Sequence, residues 1–452
     1  MKTIQIHCPD RPRLRYAVDI VVRHILGANI EWATPLAAAA TDVVLRAGAG
    51  SITVPTTPLT QSGAAIHQEL DEQIWRKPPW LTIRDTQVPA FGVPVGTTLP
   101  WTSHGATLHI NFPLFDAAWI LLSGQADGSS VDEHGRSCSR EHLLVQHNCE
   151  MVPVVDLYAV LIEDALQRVA PGFEASVAQH SSPPLVTHDV DRPWEHDVTG
   201  TAHRLRRSAA NLLRDRDPEL AFGRVLSMMR RTDVMDTFDF ICTALERFDL
   251  CGAFNFFGGG NHPLDATYRL GDPRIDALLC TLHKRGHQLG YHASYACLDT
   301  PDLIQTEFSF LRDHCERLGI VQNEWGGRHH YLRWRPDMWP AWDEAGLTFD
   351  SSVGFPDRTG YRLGTGHPVP VYDIASERTL DLVEVPLLLM EVAVLEYERS
   401  SLDELLTRVE RLRNQSLITG GRVVILWHND RLVHRRARQT YLKMLEILSA
   451  RP

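Results

Sequence analysis

The chain reads as an α/β protein: a parallel sheet built from repeated strand–helix units, behind a smaller α/β domain. Three observations lead there. At 452 residues the chain exceeds what one ordinary core serves, which points to two domains. From Cys251 onward, short apolar runs alternate with amphipathic stretches opened by capping signals such as Asp272-Pro273 and Thr300-Pro301. Six or seven such units follow one another, which favours closure into a barrel over an open sheet.

In order, residues 1–150 form the N-terminal domain, with no motif that assigns a role. Thr3 to Ile6 is a strand, Tyr16 to Leu26 a helix, and Val43 to Arg46 and Ser51 to Val54 are strands. Pro78-Pro79 and Val88 to Pro94 read as loop, and Phe112 to Leu122 as a buried helix. Asp132 to Arg136 could line a site but reads first as a surface turn. Residues 151–180 hold a helix with apolar residues at Val154, Leu157, Tyr158, Leu161, Ile162 and Leu166, then a linker running on to Pro184.

Residues 181–452 hold the strand–helix units, without a sequence repeat. Leu185 to Thr187 is a strand, with a helical insertion at Ala202 to Arg214 and Asp236 to Phe248 after it. Strands follow at Ala253 to Phe257, Gln288 to Tyr291, Leu347 to Asp350, Leu382 to Pro386 and Arg422 to Trp427, with helices between them and a closing helix at Leu432 to Leu448.

Composition bounds the function. A hydrophobic content of 44% and a charged content of 22% are those of a globular protein, and a net charge of -11 argues against nucleic acid as partner. The basic run Arg204 to Arg207 with Arg214 and Arg216 is interrupted by acids and reads as a helix face. No apolar run approaches a membrane span and the N-terminus has no secretory apolar core, so a cytoplasmic location is expected. Eight cysteines without a C-x-x-C pair suit buried thiols; 22 histidines direct attention to imidazole and carboxylate.

Chemistry collects just past the strands. Asp189 and Asp191 stand i, i+2 at the end of the first strand and face one side if the strand persists. Alone, such a pair is more often a solvated turn. Downstream, however, the same position after successive strands holds His292, then Arg328, His329 and His330, then Asp350, then His428, all of which would converge on one mouth. Acids and imidazoles with no thiolate suit a hard or borderline cation with a position left open for water. Gly258 to Gly260 lacks the Lys-Ser/Thr of a phosphate loop and reads as a tight turn at the mouth.

Thr187-His-Asp-Val-Asp191, Gly286 to His292, Arg328-His-His-Tyr331 and Leu426-Trp-His428 resemble, in order and spacing, the motifs of the polysaccharide deacetylases, the NodB-homology or carbohydrate esterase family 4 group. Tyr291 to Ala296, Arg328 to Arg333 and Gly360 to Thr365 resemble more closely a bacterial subgroup with an extra N-terminal domain, associated with surface polysaccharides such as O-antigen or capsule. The resemblance spans about residues 112 to 435. It implies a distorted (β/α)7 barrel that hydrolyses the N-acyl amide of a sugar, nucleotide sugar or glycan with one divalent metal, zinc first and cobalt, nickel, manganese or iron as alternatives.

By the same resemblance Asp189 is the base, Asp191 and His292 are ligands, Arg328 orients the base, the Tyr331 amide holds the oxyanion, Leu426 forms the acyl pocket and His428 is the acid; Trp427 is expected at the substrate. Asp350 is expected at an imidazole or at the sugar. The chain departs from the pattern at Ala296, where the family has its second ligand histidine. The resemblance points to His330 as the missing ligand, because it stands where the family has a proline beside the metal, while His329 and His287 should face away; otherwise the site has lost its metal. Two alternatives follow: transfer or removal of another acyl group such as formyl, and a degenerate barrel that binds glycan without catalysis.

Overall fold

A computed structural model describes residues 3–57, 78–92, 100–177, 182–195, 206, 208–210, 213, 218–230 and 233–450. The architecture is α/β. Strands β1 (Ile4–His7), β2 (Ile30–Trp32), β3 (Asp42–Ala47) and β4 (Gly50–Pro55) come first. Then follow β5 (Trp80–Ile83), β6 (Thr86–Pro89), β7 (Trp101–His104) and β8 (Thr107–Ile110). The first sheet has the order β2-β1-β3-β4-β8-β7, and β5 and β6 form a separate hairpin.

Alternation decides which face is covered. Ile4, Ile6, Val43, Leu45, Ile52 and Val54 are fully buried while Gln5 and Arg46 between them are exposed. Over the buried face pack helices α1 (Pro12–Asp19, continued as a π-helix to Ile25), α2 (Leu114–Leu122) and α3 (Val154–Val169). The expected loop at Val88 to Pro94 is corrected in part. Val88 and Pro89 are strand residues of the β5–β6 hairpin, paired with Leu81 and Trp80, and Val88 packs inward; residues 93 and 94 lie outside the described set.

The second sheet contains β9 (Leu185–Asp189), β10 (Gly252–Phe257), β11 (Gln288–Ala293), β12 (Gly326–His329) and β13 (Phe349–Asp350). It is completed by β14 (Val369–Asp373), β15 (Arg378–Glu384), β16 (Leu389–Met390) and β17 (Val424–Leu426). Its order is β14-β15-β13-β12-β11-β10-β9-β17-β16, parallel throughout except for β14.

No closed barrel is present among the described residues. The edge where closure would occur is taken by β14, which turns back antiparallel on β15 and docks on the N-terminal unit, with the Tyr16 hydroxyl donating to the Pro370 carbonyl at 2.9 Å. Val369 and Tyr372 belong to the same apolar core as the first sheet. The expected linker is packed where it is described: Phe173, Ala175 and Val177 are buried, and the Val177 amide donates to Glu163. Residues 178–181 of it, and most of the helical stretch and basic run at 202–216, lie outside the described residues. No helix among the described residues is long and apolar enough to cross a membrane.

Candidate metal centre

The C-terminal ends of β9, β11, β12 and β17 meet at a cavity of about 540 Å3. Alternation along β9 and just beyond turns Thr187, Asp189 and Asp191 to one side and His188 to the other. There His188 stacks on Phe254 and bonds the Trp427 carbonyl and the Tyr441 hydroxyl. On β12 the same rule separates neighbours: Arg328 and His330 face the mouth, while His329 points back and accepts from the Trp342 indole at 2.7 Å. His287 lies off the mouth, its Nδ1 accepting from the Gly252 amide.

Three donor atoms converge. Asp191 Oδ1 stands 3.2 Å from His292 Nε2 and 3.5 Å from His330 Nδ1, and the two imidazole nitrogens are 3.1 Å apart. Ligands about 2.0–2.1 Å from a tetrahedral ion lie about 3.3 Å from one another, so the three atoms already sit at the edges of such a polyhedron.

The tautomers agree. His292 Nδ1 is 2.8 Å from the Arg328 carbonyl, and His330 Nε2 is 3.0 Å from the Leu264 carbonyl. A carbonyl only accepts, so both protons sit there and the remaining lone pairs face Asp191. Asp191 Oδ1, buried, has no hydrogen-bond partner. A buried acceptor left unpaired opposite two imidazole lone pairs is costly unless a cation joins them, so the donor set fits a divalent metal.

Asp189 is built differently. Its Oδ1 accepts from Asn255 Nδ2 at 2.7 Å and from Arg328 Nη1 at 3.1 Å, which leaves Oδ2 facing the centre, 3.9 Å from His292 Nε2. Arg328 is fully buried and spends its other donors on Thr187 and Ser351. Asn255 on β10 pairs with Asp189 on one side and with Gly290 of β11 on the other, where any Cβ would collide with the Asn255 side-chain oxygen. Burial acts to raise the Asp189 carboxyl, but Arg328, then His292 and His428, outweigh it and hold it below the usual range.

His428 closes the opposite side, with Nε2 3.7 Å from Asp191 Oδ2. The sequence reading missed its partner. Glu391, fully buried, accepts from both the ring Nδ1 at 2.8 Å and the backbone N–H of His428 at 3.0 Å. Burial would lower the imidazole pKa; Glu391, then Asp191 and Asp189, raise it to about 10. The only signal was an acid amid the apolar run Val385 to Leu395, one that must find a cationic partner if buried.

Leu426 lines the cavity with Met390 and Val392. Trp427 does not; the alternation that brings Leu426 inward sends Trp427 against Tyr441. Asp350 likewise lies behind the mouth, bonded to Ser352 and beside Glu384, its carboxyl raised to about 6 by burial. The three glycines at 258–260 are absent from the lining. Gly258 and Gly259 pack on Glu307, whereas Leu264 and Asp265 farther along the loop form the wall. The Asp132–Arg136 turn, read as surface, sends Arg136 into the cavity.

Residues 3–171 match a family of unknown function, DUF7033. No curated protein matches the chain. Among solved structures, a candidate polysaccharide deacetylase from Mycobacterium smegmatis is similar at 15% identity and a TM-score of 0.38, over 60% of this chain and 88% of that one. A likeness of that size leaves the function to be argued from the site.

Proposed function

We propose that the protein is a metal-dependent N-deacylase, in the first instance a deacetylase, acting on an N-acylated sugar, nucleotide sugar or glycan destined for surface polysaccharide. The reading is carried by the convergence of Asp191 Oδ1, His292 Nε2 and His330 Nδ1 within 3.5 Å of one another, flanked by one anionic and one cationic group. Two imidazoles and one carboxylate are a catalytic zinc set with a position left open, and equally a ferrous one. A bound metal of this kind supplies Lewis acidity toward the acyl carbonyl and lowers the pKa of water.

The chain's own groups do the rest. Asp189, kept ionised by Arg328, takes the proton of the attacking water on its free Oδ2. The Tyr331 N–H donates to the oxyanion that forms as the carbonyl carbon becomes tetrahedral. His428, held cationic by Glu391, delivers a proton to the departing sugar nitrogen. Leu426, Met390 and Val392 offer an apolar wall to the acyl methyl. A barrel-like arrangement of strand ends, though not closed by hydrogen bonds, is enough to bring these groups together.

The test is elemental analysis of protein purified without chelator, followed by assay on a panel of N-acyl sugars and nucleotide sugars with and without an acceptor sugar. One equivalent of metal and acetate release supports the reading. Formate release, or acyl passed to the acceptor, redirects it to the alternative acyl chemistry. Absence of metal, with no activity on adding zinc or cobalt, overturns it in favour of a binding protein.

A further inference from the structure

Tyr331 and Leu332 are consecutive non-glycine residues in the left-handed region, with φ of 60° and 52°. Such residues persist only where their surroundings hold them. Here the hold comes from outside the second sheet. Arg136, buried within the N-terminal unit, donates from Nη1 to the Tyr331 carbonyl at 3.0 Å. Its Nε and Nη2 are fixed on Asp132 Oδ2 at 2.8 and 2.7 Å, and Nη2 also reaches the Tyr397 hydroxyl on the far wall of the cavity at 3.4 Å.

The turn is stiff in itself. Asp132 Oδ1 accepts from the amides of His134 and Arg136, and Gly135 takes the positive φ that lets the chain double back. The His134 ring lies 4.6 Å from the Tyr331 ring and its Nδ1 bonds the Tyr295 hydroxyl. On the other side of the strained pair, Arg333 Nε donates to the His134 carbonyl at 2.6 Å. One five-residue turn therefore grips the left-handed pair at the carbonyl between its two residues and at the side chain after it.

We infer that this turn is a working part of the centre, with Arg136 as the positioning residue for the Tyr331 peptide. The φ and ψ of Tyr331 set the angle between its two peptide planes, so fixing the carbonyl on one side aims the N–H on the other. The N-terminal unit thus completes the site rather than decorating it. The catalytic half of the inference rests on the deacylase reading; the structural half does not.

The experiment uses the full-length chain with Arg136→Gln, Arg136→Lys and Asp132→Asn, and reads two quantities. In Arg136→Gln, hydrogen exchange at residues 330–334 should rise at least roughly tenfold while exchange elsewhere is unchanged, with Arg136→Lys intermediate. On an N-acetyl sugar, kcat should fall about tenfold or more with KM within about threefold and metal content unaltered, because an oxyanion donor acts on the transition state. Unchanged exchange at 330–334 in a folded variant overturns the inference, as does an unchanged kcat in a wild-type-active enzyme. Should Arg136→Gln not fold, Asp132→Asn decides by the same exchange readout. If the wild type deacylates nothing while exchange responds as stated, the clamp stands and the deacylase reading alone falls.

Discussion

Replacing Glu391 by Gln removes one charge and no volume, and its effect can be sized. The His428 pKa stands at about 10 against an ordinary 6.5. That displacement is worth about 5 kcal/mol at 1.36 kcal/mol per unit. Burial opposes it, and Glu391 leads Asp191 and Asp189 among the groups that produce it. Losing the leading carboxylate should bring the imidazole down by about two units, or about 3 kcal/mol.

If His428 must be protonated to release the sugar amine, the basic limb of kcat/KM should lie at lower pH in the variant than in the wild type by about two units; a cation bound at Asp191 lowers both limbs together and leaves their separation. The same shift has a stability consequence. The raised pKa contributes stability that is complete below about 6.5 and lost as the pH rises through about 10, so wild-type Tm should decline across that window and the variant's decline should be smaller. The assay is kcat/KM from pH 5 to 11 with Tm at the same points. Superimposable basic limbs for the two proteins would refute His428 as the acid governed by Glu391.

Asp191→Ala, His292→Ala and His330→Ala should each purify with little metal, while Asp189→Asn should keep a full equivalent and lose about 10²–10⁴ in turnover; full occupancy in the first three would disprove the ligand set. Arg328→Met leaves the Asp189 carboxylate buried without its cation and should cost about 3–5 kcal/mol, read in urea unfolding at pH 7, and a loss under 1 kcal/mol would contradict the pairing. Asp265→Ala should weaken metal binding about 10- to 100-fold without touching a ligand, because Asp265 holds the loop whose Leu264 carbonyl fixes His330; unchanged affinity in a metal titration would show that the loop does not orient it.

What the sequence disclosed follows the range of each signal. Helix caps are local: Asp272 accepts from the Arg274 amide where the residues alone place it, whereas at Thr300-Pro301 the helix starts two residues later, with Asp302 at the N-cap. The side on which a residue lies is local too, which is why Arg328 and His330 could be separated from His329 by period two. Contacts between distant segments left no such mark. Glu391 sits 37 residues from His428, and Arg136 sits 195 from the carbonyl it grips. Closure of the sheet was equally illegible, since counting β/α units says nothing about β14 turning back to close off the edge. Trp427 and Asp350 were misplaced for a local reason: standing at the C-terminal end of a strand does not settle which face a side chain takes.

On the proposed reading, the place of Ala296 bears on how the donor set is assembled. A second histidine one turn along the same segment as His292 would tie two ligands to a single element. Here residue 296 lies in the 3-10 turn Tyr295–Leu298, whose segment is anchored elsewhere: Ser294 and Tyr291 bond Glu307, and the Tyr295 ring stacks on His262 at 4.2 Å. The third donor comes instead from His330, just past β12, so the set spans β9, β11 and β12 and depends on their register, which pairs His292 with Arg328. His330 needs its far nitrogen fixed, and the carbonyl that fixes it belongs to the loop after β10. The residue that follows His330 is Tyr331, whose left-handed backbone is gripped by the N-terminal unit. If His330 holds the ion and the Tyr331 N–H the oxyanion, as proposed, both roles and the grip of the N-terminal turn fall on two adjacent residues.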